Sequence, residues 1–260
     1  MAEHITSREN GKVKYACKLA QSAAFRTGEN AFFAEGLKLC LELQKGCPLK
    51  VIFYTQAALE KTPALKKLPC EQYLVDDHVA EKLAGVRSPQ GVFGIFEKPT
   101  ANLAEMKKTG RLLALERVQD PGNVGALIRS AAAFGFGGIL LSPGCADPFG
   151  PKALRASMGA AGRLPVLTVP CLPDALAQLE SEGVACLAAA LYNSRPLSEA
   201  VGPWPNGLCL VIGSEGQGLS DDAIHACRET VRIPMTDRVE SLNAGAAGSV
   251  LLWHFRGEGL

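Results

Sequence analysis

RLLALERVQDPGNVGALIRSAAAFGFGGILLS, residues 111–142, decides the fold class. An apolar run (111–118) gives way at Asp120-Pro121 to a stretch with helical periodicity, in which Val124, Leu127, Ile128 and Ala131 form one stripe. A second apolar run, 137–142, follows. Two near-continuous apolar strands joined by a helix form a parallel unit buried on both faces. The pattern repeats downstream, with expected strands at 164–169, 183–190, 207–213 and 230–235 and a last helix over 244–255. An α/β fold with a mostly parallel sheet is predicted for residues 110–260.

Upstream the alternation is looser. A basic helix is expected within the first 25 residues, a strand at 31–36, a helix at 37–46 and a strand at 50–55. A further strand and helix end at Gly85, and a Pro-bounded strand covers 88–99. Residues 1–100 read as a smaller α/β domain, and 97–110 as a linker. Charge divides the same way. Residues 1–110 hold 16 Lys+Arg against 12 Asp+Glu, whereas 111–260 hold 11 against 14. Thirteen of the first group are Lys, and the second part has a single Lys, Lys152. Such a break suits two domains with different tasks. The basic residues Arg8, Lys12, Lys14 and Lys18 are candidates for contacting RNA phosphates.

No apolar run is long enough for a membrane span, and the N-terminus lacks an apolar signal core, so a cytoplasmic protein is expected. The nine cysteines include no C-x-x-C pair and histidine is scarce. No metal site and no disulfide framework are expected.

Formal charge is nearly missing from three stretches. From Pro121 to Cys145 the only charge is Arg129, and from Ala200 to Ser220 it is Glu215. From Ser241 to Phe255 there is none, though Ser241 and Asn243 open the stretch. A lone charge in apolar surroundings is costly unless paired or used. In the first stretch Asn123 is expected to cap the helix. Gly125 stands four residues before Arg129 on the same face, leaving room beside the guanidinium. In the second, LVIGSEGQGLS (210–220) is a strand, a glycine-rich turn around Glu215 and a helix start. It lacks the G-x-G-x-x-G spacing, which disfavours a dinucleotide oxidoreductase. In the third, RIPMTDRVESLNAGAAGSVLLWHF (232–255), the small residues 244–248 permit close packing by another backbone or a cofactor.

Together the three stretches resemble the motifs of the SpoU (TrmH-like) RNA methyltransferases. N-x-G-x-x-x-R stands as Asn123, Gly125 and Arg129. G-S-E-G-x-G-L stands as Gly213 to Leu219, and I-P-M…ES-L-N-x-x-x-A runs from Ile233 to Ala247. FFAEGLKL and SPQGVFGIF resemble the substrate-binding domain of rRNA-directed members. The resemblance implies a trefoil-knotted α/β catalytic domain, S-adenosylmethionine as methyl donor, a ribose 2′-hydroxyl of RNA as acceptor and a homodimer. Ribosomal RNA is favoured over tRNA. A binding protein that has lost catalysis is disfavoured by the intact set Arg129, Asn123, Glu215, Ser241 and Asn243. Backbone groups of Gly213, Ile233 and Leu242 are implied to hold the donor, with Asn243 and Ala189 in the same pocket. The resemblance casts Arg129 as the base; because a guanidinium keeps its proton, Arg129 is instead expected to anchor the target phosphate and stabilise the developing alkoxide, oriented by Glu215.

Overall fold

The computed structural model describes residues 3–200, 202–239 and 241–257. They form two compact units, one running to Pro99 and including Phe149–Arg163, the other comprising Thr100–Pro148 and the chain from Leu164 on.

The first unit is built in chain order from β1 (Glu3–Ile5), α1 (Gly11–Gln21), α2 (Ala23–Gly28), β2 (Ala31–Glu35), α3 (Leu37–Leu43) and β3 (Leu49–Tyr54). Then come α4 (Gln56–Lys61), a 3-10 turn (Pro63–Lys67), β4 (Glu71–Val75), α5 (Asp77–Ala84) and β5 (Val92–Glu97). The sheet order is β1-β4-β3-β5-β2, parallel except for β5. Its core is aromatic. Phe32 faces Phe96 across β2 and β5, and Phe53 faces Tyr73 across β3 and β4, with ring centroids 5.3 and 5.4 Å apart. Such cross-strand pairs lock the register of a short sheet. The basic helix expected in the first 25 residues starts later and breaks in two. Asn10 caps α1, Ser22 caps α2, and Glu3–Ile5 instead adds an edge strand to β4. Three residues carry no readable period, so only long-range pairing defines that strand.

The second unit opens with α6 (Leu103–Lys107), inside the stretch read as a linker. Its Met106 is 1% exposed and anchors it to the core. Then follow β6 (Arg111–Leu115), α7 (Pro121–Ala133) and β7 (Gly138–Leu141), and, after the chain has passed through α8 (Pro151–Ser157), β8 (Val166–Thr168). α9 (Leu172–Ser181), β9 (Ala185–Ala189), β10 (Arg195–Pro196), β11 (Leu208–Ile212), α10 (Asp221–His225), β12 (Glu229–Arg232) and α11 (Ala244–His254) complete it. The seven strands lie parallel in the order β10-β12-β9-β11-β6-β7-β8. Every residue of β7 and β11 is buried, as a sheet covered on both faces requires. β6 stops three residues short of the expected 118 because Arg117 adopts φ 51°, which no strand tolerates.

α8 belongs with the first unit, although it lies in the part of the sequence expected to form the catalytic domain. Phe149, just before it, packs on Phe32 with ring centroids 5.0 Å apart. No helix among the described residues is long and apolar enough to cross a membrane.

Candidate active site

From β6 the chain proceeds outward to β7 and β8. On the other side of β6 lie β11, β9 and β12. The direction of strand succession therefore reverses between β6 and β11. In open parallel sheets, ligands gather outside the carboxyl ends of the strands at such a reversal. The three charge-poor stretches all lead to this place: α7 follows β6, the glycine turn follows β11, and the last segment follows β12.

Asp120, not Asn123, caps α7. Its Oδ1 accepts from the backbone N–H groups of Gly122 and Asn123, the latter at 3.1 Å, and Pro121 takes the first helical position. The Pro was the signal, since it favours the residue before it as the cap. The correction matters because it frees the Asn123 side chain, whose Nδ2 donates to Glu215 Oε1.

The turn that presents Glu215 is tight. Gly218 N donates to Ser214 O at 2.9 Å and Ser214 N to Gly218 O at 3.2 Å, while Gly218 adopts φ 69°. A Cβ on Gly213 would lie 2.2 Å from the Gly218 carbonyl carbon, so only glycine fits at the strand end. Glu215 is exposed at the tip.

Asn243 does cap α11, its Oδ1 accepting from Gly245 N at 2.9 Å and Ala246 N at 3.3 Å. A Cβ on Gly245 would lie 3.1 Å from the side-chain oxygens of both Asn123 and Asn243. The starts of α7 and α11 are thus side by side, and Asn123 touches all three stretches. Further along, a Cβ on Gly248 would collide with Leu127 at 2.2 Å, and Ser130 and Ser249 hydroxyls meet at 2.8 Å. The small residues of α11 are therefore used for packing on α7 of the same chain. Ser241 and Leu242 lie exposed just before the cap, and Glu240 falls outside the described residues.

Arg129 stands apart from this cluster. It is exposed on α7, six residues beyond Asn123 and so about 9 Å further along the helix axis. Among the described residues no hydrogen bond or ion pair engages it, and the Glu215 carboxylate is bonded to Asn123 instead. Gly213, Ile233 and Ala189 stand at the ends of three adjacent strands, β11, β12 and β9, which places their backbone groups along one sheet edge. Among the described residues no group of three or more His, Cys, Asp or Glu could hold a metal.

The basic residues of the first unit are engaged. Arg8 Nη2 lies 2.9 Å from Glu81, Lys12 Nζ 2.5 Å from Glu71, and Lys14 Nζ 2.6 Å from Glu9. Lys12 also reaches Tyr73 Oη, and Lys18 stands 5.7 Å from the centre of the Phe25 ring. By contrast, no ion pair among the described residues reaches the exposed side chains of Lys61, Lys66 and Lys67, on α4 and the turn after it.

Sequence reasoning missed Glu116. It is buried at the end of β6 and bonded to Ser220 across the sheet. It looked like one more polar residue ending a strand.

A reversal in a parallel sheet, with a glycine turn and two helix starts converging on it, is where α/β enzymes of this topology bind their ligands. Residues 110–253 match the SpoU rRNA Methylase family, and residues 10–94 match the MRM3-like substrate binding domain. The chain is 30% identical over 257 residues to the 23S rRNA (guanosine(2553)-2′-O)-methyltransferase RlmP of Bacillus subtilis, covering 98% of this chain and 100% of that protein. An AdoMet-bound rRNA methyltransferase from Sinorhizobium meliloti, 30% identical, superposes with a TM-score of 0.85 over 97% of both chains. The SpoU methyltransferase AviRb of Streptomyces viridochromogenes, 24% identical, shares the fold with a TM-score of 0.84 over 95% of this chain and 97% of its own. The chain belongs to the SpoU rRNA methylase family, with an α/β catalytic part built on a parallel sheet.

Proposed function

We propose that the protein transfers a methyl group from S-adenosylmethionine to a ribose 2′-hydroxyl of ribosomal RNA. The observation that carries this reading is the Asn123 side chain, which joins the Glu215 turn to the Asn243-capped start of α11. The donor set at the strand ends fits the cofactor. Backbone groups of Gly213, Ile233, Leu242 and Ala189 can hold its adenosine part, and Asn243 closes the same edge. When bound, it supplies a methyl group already activated for displacement.

The chain's own residues then have to align the ribose oxygen and offset the charge that develops on it. Arg129, exposed and without a protein partner among the described residues, holds the target phosphate and stabilises the charge that develops on the oxygen. Glu215 and Asn123, bonded to each other, fix the turn at the strand end, and Ser241 lies exposed beside the cap of α11. The first unit supplies affinity through phosphate contacts. The active form is a homodimer through the catalytic unit, a reading supported by Val250 and Trp253, which are 42% and 53% exposed on α11. The setting is the cytoplasm, where the rRNA is.

The test is incorporation of labelled methyl from S-adenosylmethionine into unmodified rRNA and, separately, tRNA, followed by mapping. A single 2′-O-methylated ribose in rRNA is expected, and Arg129→Ala should lower turnover on the order of a hundredfold. Methylation of a base, or of tRNA alone, would overturn the reading. S-adenosylhomocysteine should raise the melting temperature and NAD should not.

A further inference from the structure

Among the described residues Glu116 is the only buried carboxylate, 6% exposed. Its position at the end of β6 is where the chain leaves the sheet toward α7. Both of its oxygens are taken by one residue. Ser220 N–H donates to Oε2 at 2.8 Å, and the Ser220 hydroxyl donates to Oε1 at 2.7 Å. The same hydroxyl accepts from Ala223 N at 3.2 Å and so caps α10. The backbone N–H of Glu116 donates to Ile212 O at 2.9 Å. Glu116 therefore grips both ends of one turn, Ile212 through its main chain and Ser220 through its carboxylate. The residues between them are 213–219, and Glu215 is at their tip.

Strand pairing already holds β6 to β11 along five residues, so the sheet does not need this carboxylate. Burying one is expensive unless every oxygen is bonded, and a neutral side chain would fill the space at less cost. The nearest guanidinium, Arg117 Nη2, is 3.8 Å away and half exposed, so it offsets little of that cost. What the carboxylate adds is a fixed spacing between the foot of α7 and the far end of the glycine turn. That spacing decides whether Glu215 reaches Asn123.

We propose that Glu116 is a positioning residue for methyl transfer: by clamping Ser220 it fixes the glycine turn so that Glu215 meets Asn123. The inference rests on the reading of Glu215 and Asn123 as parts of the site. Glu116 itself touches no reactant.

The test is a set of full-length variants, Glu116→Gln, Ser220→Ala and Glu215→Ala, with the double variants Glu116→Gln/Glu215→Ala and Ser220→Ala/Glu215→Ala. Turnover is measured with saturating S-adenosylmethionine and rRNA, alongside calorimetric binding of S-adenosylhomocysteine. Glu116→Gln and Ser220→Ala are each expected to lower kcat about tenfold, equivalent to about 1.4 kcal/mol, with little change in S-adenosylhomocysteine affinity. In the Glu215→Ala background neither should lower kcat further, because the acceptor they position toward Asn123 is already gone. A purely structural role would not produce that coupling. Ser220→Ala keeps the buried carboxylate and one of its bonds, so it carries the same test if Glu116→Gln does not fold. Losses that multiply with Glu215→Ala would overturn the proposal, as would unchanged kcat in the single variants Glu116→Gln and Ser220→Ala. Full activity in Glu215→Ala alone would instead remove the site reading beneath it.

Discussion

Asn123 uses both ends of its side-chain amide, the nitrogen toward Glu215 and the oxygen beside the start of α11. Asn123→Asp keeps the shape but sets two carboxylates against each other, and like charges raise the pKa of such a pair. The variant should be strongly impaired at about pH 8, by roughly tenfold or more. Its activity relative to the parent should rise as pH falls, because one proton shared by the pair restores a hydrogen bond. A ratio of kcat values that stays flat with pH would contradict this role. The buried thiols report on the other unit. Burial pushes Cys40 up to about 12 and Cys47 up to about 11. A neutral thiol is what the fold stabilises, and in the unfolded chain it ionises near its ordinary 9.0. Their contribution is thus complete below about pH 9 and is lost as pH climbs toward 11 and 12. Urea unfolding followed across that alkaline range should show stability falling with pH, less steeply in Cys40→Ala. Asn123, Glu215 and Asn243, which the fold brings together, were legible in the sequence because charges are scarce around them. The geometry was not: the pairing of Glu215 with Asn123 instead of Arg129 spans 92 positions and has no local signature.

α7 and α11 show what element-scale reasoning captures and what it loses. The stripe Val124, Leu127, Ile128, Ala131 is buried as its period requires. The cap was misplaced by three residues because Asp and Asn both suit that position, and the Pro between them was the deciding feature. For α11 the small residues announced a close approach but not its partner, which turned out to be α7. Gly248→Ala puts a methyl group where Leu127 and Ile212 already are, at 2.2 and 2.7 Å. It should destabilise the protein by about 1–3 kcal/mol. Leu127→Ala opens the same space, so the double variant should lose less than the two single losses combined. Denaturant midpoints of the four proteins check this, and strict additivity would mean that the helices can slide apart. The strands of the catalytic unit were found nearly in place because apolar runs mark buried parallel strands. β1 and β10, with three and two residues, are too short to leave any pattern.

At the scale of the molecule, the charge break near residue 110 pointed to two tasks, and the basic side of it lies in the first unit. Which cations are available was not readable from composition. Arg8, Lys12 and Lys14 are each held by a carboxylate, whereas Lys61, Lys66 and Lys67 are not. A cation released from an ion pair must lose that partner before it neutralises a phosphate. Replacing Lys61, Lys66 and Lys67 by Glu should therefore weaken rRNA binding more, and flatten its salt dependence more, than replacing Arg8, Lys12 and Lys14 by Glu. Binding measured at several salt concentrations decides it, and equal effects of the two triple variants would show that the ion pairs do not matter.

The segment Phe149–Arg163 gives the architecture one more property. Because the chain leaves the catalytic part after β7, completes the first unit with α8 and only then returns for β8, the two units are stitched by three strands of covalent chain in place of one. No single cut yields both intact. A fragment ending at Pro99 would bare the apolar face on which Phe149 rests, and one beginning at Thr100 would carry an orphaned α8 with Ala153 and Leu154 uncovered. Splitting the gene at the apparent junction would thus leave two sticky halves.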